Sequence, residues 1–170
     1  MEEINNLPSG NLLEIGVGSG THLPLYKTHQ ITGIDISSAM LHEAEKHKLP
    51  NISLLQMSGE NLIFEDEKFE YIVMSHVLAV AKNPEKLLAE AYRVLKPGGK
   101  ILILNHFTPN NWLKYVDKAF NLVSGLFHFN SLFKIDSLTN IKKFTLIKEL
   151  AFGRFSYFKL LIFEKQWENI

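Results

Sequence analysis

Short apolar runs alternate with amphipathic stretches along the first two thirds of the chain. The runs are rich in β-branched residues and apolar on both faces, as strands buried in a parallel sheet are. They lie at 11–16, 31–36, 52–57, 71–74 and 100–107. The stretches between them have helical spacing, and this alternation predicts an α/β fold with a doubly wound, Rossmann-like, mostly parallel sheet.

Two of the amphipathic stretches have clear helix-end signals. Ser37 is a favourable N-cap for a helix over 37–48, and Asn83 is one for a helix over 84–95. The predicted buried faces are Met40, Leu41 and Ala44 in the first helix, and Leu87, Leu88, Ala91, Val94 and Leu95 in the second. The sequence KPGGK (96–100) is expected to end the second helix and turn the chain into the next strand.

The pattern changes after residue 107. A further helix is predicted near 111–124, and two β-rich runs follow at 141–152 and 155–165. The face of that helix would carry Trp112, Val116, Ala119, Phe120 and Val123. Gly153 and Arg154 form a short turn between the β-rich runs, which predicts an antiparallel C-terminal hairpin closing a seven-stranded sheet.

Composition narrows the class of protein. At 170 residues and 46% hydrophobic, the chain is expected to form one domain with a sizeable core. It has no cysteine, which excludes disulfides and thiolate metal sites. No apolar stretch is long enough to span a bilayer, and the first ten residues contain no signal-peptide core. We therefore expect a cytoplasmic protein that at most contacts the inner membrane surface.

Charge is divided unevenly along the chain. Residues 1–99 carry five more acidic than basic side chains, and residues 100–170 carry five more basic than acidic ones. This asymmetry indicates either that the protein has two faces with different partners, or that the charges are scattered over its surface at random. The net charge is zero and there is no basic run, so nucleic acid is not an expected partner.

A glycine-rich loop follows the first predicted strand. Gly16, Gly18 and Gly20 alternate there, and glycine permits tight turns and close backbone approach to a ligand. The dinucleotide fingerprint requires G-x-G-x-x-G, whereas Thr21 stands where its third glycine would be. The spacing favours a ligand without a pyrophosphate, and the missing Gly-Lys-Ser/Thr excludes a P-loop.

Two carboxylates accompany this loop. Asp35 ends the second predicted strand, where it is placed to accept hydrogen bonds from both hydroxyls of a ribose; alternatively it caps the following helix. Glu14 lies inside the first strand, and a buried carboxylate is costly unless it is hydrogen-bonded. Glu14 therefore either braces the glycine loop or reaches an amine of the ligand.

Residues 11–107 resemble a class I S-adenosylmethionine (SAM)-dependent methyltransferase. The resemblance rests on EIGVGSG (14–20), on Asp35 and on RVLKPGGKILI (93–103). It implies that SAM is the cofactor, that Ile36 packs on adenine, and that the end of the third strand edges the base. The implied remainder of the cofactor site is Met57, Ser58, Gly59, Glu60 and Ser75. Many relatives carry Asp at the position of Ser58, and the uncharged hydroxyl is expected to lower the affinity for SAM.

Other, more specific sequence segments resemble bacterial phospholipid N-methyltransferases, which methylate phosphatidylethanolamine. They are VGSGTHLPLY (17–26), VLAVAKNPEKLLAEAYRVLKPGG (77–99), ILNHF (103–107) and the C-terminal tail. The resemblance implies methyl transfer to the amine of an aminophospholipid. The alternatives are a methyltransferase of the same fold acting on a small soluble metabolite, or a SAM-binding protein with little turnover; a nicotinamide dehydrogenase is disfavoured by the glycine spacing.

The candidate catalytic residues are His76, Asn105 and His106, at the ends of the fourth and fifth predicted strands. Histidine is suited to proton transfer at neutral pH. Alternatively, His76 only forms a wall of the cofactor pocket and His106 only bonds a nearby carbonyl. The other histidines show no metal-ligand spacing, so no metal is expected, and they are interpreted as surface or packing residues: His22, His29, His42, His47 and His128.

The segment 112–134 interleaves aromatic residues with Lys114, Lys118 and Lys134. Such a stretch suits a bilayer interface, although a helix packed on the sheet also needs those aromatics. Members of the resembled family carry one or two helices ahead of the first strand, whereas this strand begins near residue 11. We therefore expect a single domain over 1–170 that lacks most of the usual N-terminal lid.

Overall fold

The computed structural model describes residues 1–106, 135–152 and 158–167, without the side chains of His106 and Asp136. Within these ranges seven strands form one sheet in the order β3-β2-β1-β4-β5-β7-β6. The strands are β1 (Asn11–Ile15), β2 (Gln30–Asp35), β3 (Ile52–Gln56), β4 (Phe69–Ser75), β5 (Leu95–His106), β6 (Phe144–Ala151) and β7 (Phe158–Lys165). Neighbours among β1–β5 are parallel, and β7 is antiparallel to both β5 and β6. The predicted fold class is confirmed.

Helices cover both faces of the sheet. The described helices are α1 (Glu2–Asn5), α2 (Ser38–Ala44) and α3 (Pro84–Val94). The predicted caps are present, because Ser37 accepts from the amide of Met40 and Asn83 from the amide of Lys86. One buried cluster joins α3 to the sheet, and the other joins α1 and α2 to its opposite face. Side chains of the central parallel strands are buried on both faces, which explains their uninterrupted apolar sequences.

Two local predictions need correction. Met40 is 44% exposed, because in a helix of seven residues the buried stripe is taken by Leu41 and Ala44. The second correction concerns KPGGK: α3 ends at Val94, but β5 begins at once with Leu95, which pairs with Phe69 of β4. The next pair is Tyr71 with Lys100, so β5 has three more residues than β4 between the two pairs, and the glycines lie in this bulge of β5.

The first strand of the C-terminal hairpin is shorter than predicted. It starts at Phe144, because Asn140–Lys143 form a 3₁₀ turn. The predicted helix at 111–124, the aromatic and basic segment 112–134 and the turn at Gly153 and Arg154 lie outside the described residues. No helix in the described ranges is both long and apolar enough to span a membrane.

The strand order indicates where along the edge of the sheet a ligand should bind. From β1 the chain moves outward through β2 to β3 and then returns to the other side of β1 with β4. Ligands of such sheets bind beyond the carboxyl ends of the strands, at the point where the order reverses. The expected site therefore lies between the ends of β1 and β4.

Candidate active site

A cavity of about 560 Å³ occupies this point of the sheet. Its wall includes nine residues that the sequence assigned to cofactor binding or catalysis: Gly16, Asp35, Ile36, Met57, Ser58, Gly59, Glu60, Ser75 and His76. These residues end or directly follow β1, β2, β3 and β4. They are far apart in the chain and meet because the four strands end at one edge of the sheet.

The three glycines of the loop have different surroundings. Gly16 lines the cavity with φ of 77°, and a Cβ there would come within 2.2 Å of Val77. Gly18 and Gly20 are not among the lining residues. A Cβ on Gly20 would lie 2.7 Å from the Cβ of Ala44, so this glycine lets α2 pack against the loop, whereas Gly18 has open space around it. Of the three glycines, Gly16 is the one that lines the cavity.

Asp35 ties the glycine loop to the end of β2. Its Oδ2 accepts the amide of Gly18 at 2.9 Å, and its Oδ1 accepts the amide of Ser37 at 2.9 Å. The helix N-cap is Ser37 itself, so Asp35 is not simply that cap. A carboxylate has about four acceptor positions, which leaves two for the hydroxyls of a ribose.

Residues that follow β2 and β3 form one end of the cavity, where the adenine base of SAM is expected; we call it the base end. Ile36 lines it and is 72% exposed, so its aliphatic side chain is accessible to a ligand in the cavity. Met57 contributes a second apolar surface. A Cβ on Gly59 would lie 2.5 Å from Leu87 and 2.6 Å from Ile15, so the turn that carries Ser58 requires glycine.

Glu14 does not line the cavity. It is fully buried in β1, and its two oxygens accept hydrogen bonds from the ring of His22 and, at 2.9 Å, from the hydroxyl of Tyr26. The hydrogen bond with Glu14 raises the pKa of His22, and burial followed by the charge of Glu14 raises the pKa of Tyr26. The carboxylate therefore braces the segment that follows the glycines.

His22 has a role that the sequence pattern does not indicate. The pattern predicts a surface or packing residue, whereas the structure makes His22 the ion-pair partner of Glu14. A usable signal was present: a buried carboxylate in β1 needs a donor, and His22 and Tyr26 follow the same loop.

His76 lies at the end of the cavity next to β4. Its backbone adopts the left-handed region with φ of 60°, and its amide donates to the carbonyl of Leu104 at 2.8 Å. Such a conformation in a non-glycine residue costs of order 1–3 kcal/mol and is concentrated at functional sites.

Asn105 and His106 end β5 beside this loop, but neither is among the residues that line the cavity. Asn105 is 2% exposed, and its side-chain Nδ2 has no hydrogen-bond partner in the described part of the chain. Leaving a buried donor unsatisfied costs about 1–3 kcal/mol. For His106 the structure describes only the backbone, which pairs with Phe158.

The residues present fit SAM. Asp35 supplies anionic acceptors for a ribose, and Ile36 and Met57 supply apolar surfaces for a flat base. Gly16 brings bare backbone to the cavity wall between these groups and His76. A ligand with a nucleoside at one end and a reactive group near β4 matches this arrangement.

Comparison with known proteins identifies the family. A family model described as a methyltransferase domain matches residues 13–103. The chain is 32% identical to a phosphatidylethanolamine N-methyltransferase of Cereibacter sphaeroides, over 95% of this chain and 83% of that protein. It is 38% identical to the ubiquinone/menaquinone biosynthesis C-methyltransferase UbiE of Psychromonas ingrahamii, over 49% of this chain and only 35% of that protein.

A solved structure has the same fold. The chain superposes on a SAM-dependent methyltransferase of Methanosarcina mazei with a TM-score of 0.76 and 20% identity, over 98% of this chain and 97% of that one. The chain therefore belongs to the class I methyltransferases, enzymes that use S-adenosylmethionine as their cofactor.

Proposed function

We propose that this methyltransferase acts on the amine of phosphatidylethanolamine or a related aminophospholipid. The observation that carries the proposal is the similarity to the Cereibacter sphaeroides enzyme, which extends over 95% of the chain. It therefore runs well beyond residues 13–103, which match the general methyltransferase domain, and into the C-terminal strands.

The cavity residues have proposed roles toward the cofactor. Asp35 binds the ribose hydroxyls, Ile36 and Met57 enclose the adenine, and Gly16 and Ser75 line the path toward β4. Glu14 supports the glycine loop from behind, and Gly18 and Gly20 maintain the conformation of the loop itself. When bound, SAM supplies an electrophilic methyl group on a positively charged sulfur.

The acceptor amine must be neutral when it attacks, because its lone pair forms the new N–C bond as the S–C bond breaks. His76 is the proposed group that takes the proton from the ammonium form, since it lines the cavity at the β4 end. Asn105 and His106 are proposed to help position the acceptor, because both lie at the end of β5 next to the loop of His76. Holding both reactants in line supplies most of the rate enhancement in such displacements.

The test is a methyl-transfer assay on the full chain with labelled SAM. Phosphatidylethanolamine vesicles are compared with soluble phosphoethanolamine and with a demethylated quinone precursor, and the products are identified by mass spectrometry. We expect mono- or polymethylated headgroup only with vesicles. Transfer confined to a soluble acceptor, or to a ring carbon, would contradict the proposal.

A membrane-surface location follows from a lipid acceptor. The aromatic and basic sequence of 112–134 supports it, because such segments associate with anionic bilayers. Flotation with vesicles containing anionic lipid should carry the protein upward at low salt and less at high salt. Failure to float with any vesicle would argue against peripheral binding.

The second candidate is methylation of a small acceptor, which the 38% identity to UbiE over about half of the chain favours. The quinone arm of the same assay distinguishes the two. A third outcome, SAM binding measured by calorimetry without turnover on any acceptor, would indicate a binding protein.

A further inference from the structure

The base end of the cavity offers two side chains as hydrogen-bond acceptors for adenine, those of Ser58 and Glu60. The 6-amino group of adenine is a hydrogen-bond donor, and a cavity that recognises it must present an acceptor. Ser58 is the residue whose position suggests this role, but its Oγ already accepts the amide of Glu60 at 3.2 Å. What remains on Ser58 is one uncharged acceptor position.

Glu60 lies two residues further on and lines the same cavity. Its Oε1 accepts the amide of Asn83 at 2.8 Å, which anchors the side chain to the start of α3. Its Oε2 makes no hydrogen bond within the described ranges. Glu60 is therefore a carboxylate with one oxygen fixed by the protein and one oxygen available.

The other charged residues of the cavity are less suitable. Asp35 ends β2, where its oxygens hold the amides of Gly18 and Ser37 and its remaining acceptor positions are assigned to the ribose hydroxyls. Lys82 also lines the cavity, but an ammonium group has only donors and cannot accept from an amine.

We propose that Glu60 accepts the hydrogen bond of the adenine amino group and so supplies, from the neighbouring position, the carboxylate that Ser58 lacks. This role concerns SAM alone and does not depend on which acceptor the enzyme methylates. It also sets specificity, because Glu60 would repel a base with a carbonyl oxygen at the same position. The chain should therefore discriminate strongly between adenine and hypoxanthine.

The experiment is calorimetric titration of the full chain with two stable ligands. One is S-adenosylhomocysteine, the product of methyl transfer, and the other is S-inosylhomocysteine, its deaminated analogue. The wild-type protein should bind the adenine form about 10- to 100-fold more tightly, the range expected for a hydrogen bond to a charged group. Equal affinities for the two ligands would overturn the proposal without any variant.

Variants then locate the effect. Glu60→Gln keeps an oxygen for Asn83, and we expect it to lose most of the preference for adenine while its affinity for the deaminated ligand stays the same or rises. Glu65→Gln, an exposed neighbour that does not line the cavity, should behave as wild type. Adding Ser58→Asp to Glu60→Gln should restore the preference.

Two results for Glu60→Gln would contradict the proposal. Wild-type discrimination would show that another group recognises the amine. An equal loss of affinity for both ligands would show that Glu60 acts only by holding Asn83. Since no acceptor is present in these titrations, neither result bears on the aminophospholipid proposal.

Discussion

The imidazole of His76 packs edge-on against the ring of Phe158, with centroids 5.6 Å apart and planes at 85°. His76 follows β4, whereas Phe158 is the first residue of β7, and β5 lies between these strands. The contact holds the imidazole at the end of the cavity away from Asp35 and Ile36. The ring is thus positioned on the side where the acceptor is proposed to bind.

Replacing Phe158 should therefore impair turnover more than cofactor binding. We expect Phe158→Leu to lower kcat by about 10- to 100-fold, the cost of a small misplacement of a reacting group, with the affinity for S-adenosylhomocysteine unchanged. Phe152→Leu is the control, because Phe152 is an exposed aromatic residue next to Phe158, whereas the described ring contact of His76 is with Phe158. In a His76→Gln background, Phe158→Leu should add little; independent, multiplicative losses would contradict a positioning role.

The hydroxyl of Tyr26 satisfies one oxygen of the buried Glu14. Tyr26→Phe removes that donor and should lower the free energy of unfolding by about 1–3 kcal/mol. Tyr71→Phe is a matched control, since Tyr71 is also buried but its hydroxyl makes no hydrogen bond among the described residues. Urea denaturation measures both variants, and equal effects would contradict the assigned role of the hydroxyl.

The ion pair of His22 with Glu14 predicts a pH dependence of stability. The pKa of His22 is raised in the folded state above its ordinary 6.5, so folding favours the protonated ring. Its contribution is fully present below pH 6.5 and is lost as the pH rises through the folded-state pKa.

The melting temperature of wild type minus that of His22→Gln should therefore shrink as the pH is raised above 6.5. His42→Gln, at an exposed position of α2, should show no such trend. A difference that is constant or grows with pH would exclude the charged pair.

Gly18 and Gly20 offer a matched comparison, because both have positive φ, of 56° and 71°, and neither lines the cavity. Gly18→Ala adds a methyl group to open space, so only the conformational cost of roughly 1–2 kcal/mol applies. Gly20→Ala also brings its methyl group to 2.7 Å from Ala44, which adds about 1–3 kcal/mol of overpacking. Thermal melts should show a clearly lower melting temperature for Gly20→Ala than for Gly18→Ala. The reverse order would show that α2 shifts to accommodate the added methyl group.

Lys165 is a buried cation in β7 that donates to the carbonyls of Tyr92 and Leu95, at the end of α3. Lys165→Met leaves these carbonyls without that donor and should destabilise the protein by about 1.5–3 kcal/mol. Lys159→Met breaks an exposed ion pair with Glu149 and should cost less than about 1 kcal/mol. Chemical denaturation of the two variants compares them directly, and similar losses would refute this role for Lys165.

Local patterns were sufficient for much of the fold. The five parallel strands, the caps at Ser37 and Asn83 and the C-terminal hairpin all follow from short-range periodicity and capping chemistry. Errors arose where tertiary contacts competed with local signals. The sequence KPGGK (96–100) is typical of a turn. The pairing of Leu95 with Phe69 nevertheless extends β5 through this segment.

The sequence by itself determined the fold class, the cofactor edge and most of the cavity wall, because strand ends and glycine spacing are local properties. Only the tertiary structure decided which side chains meet. It turned Glu14 toward His22 and Tyr26, kept Gly18 and Gly20 off the cavity wall, and placed Phe158 against His76. The physical reason is that strand order and burial decide which side chains come into contact. Such contacts join residues far apart in the chain, and no local sequence pattern indicates them.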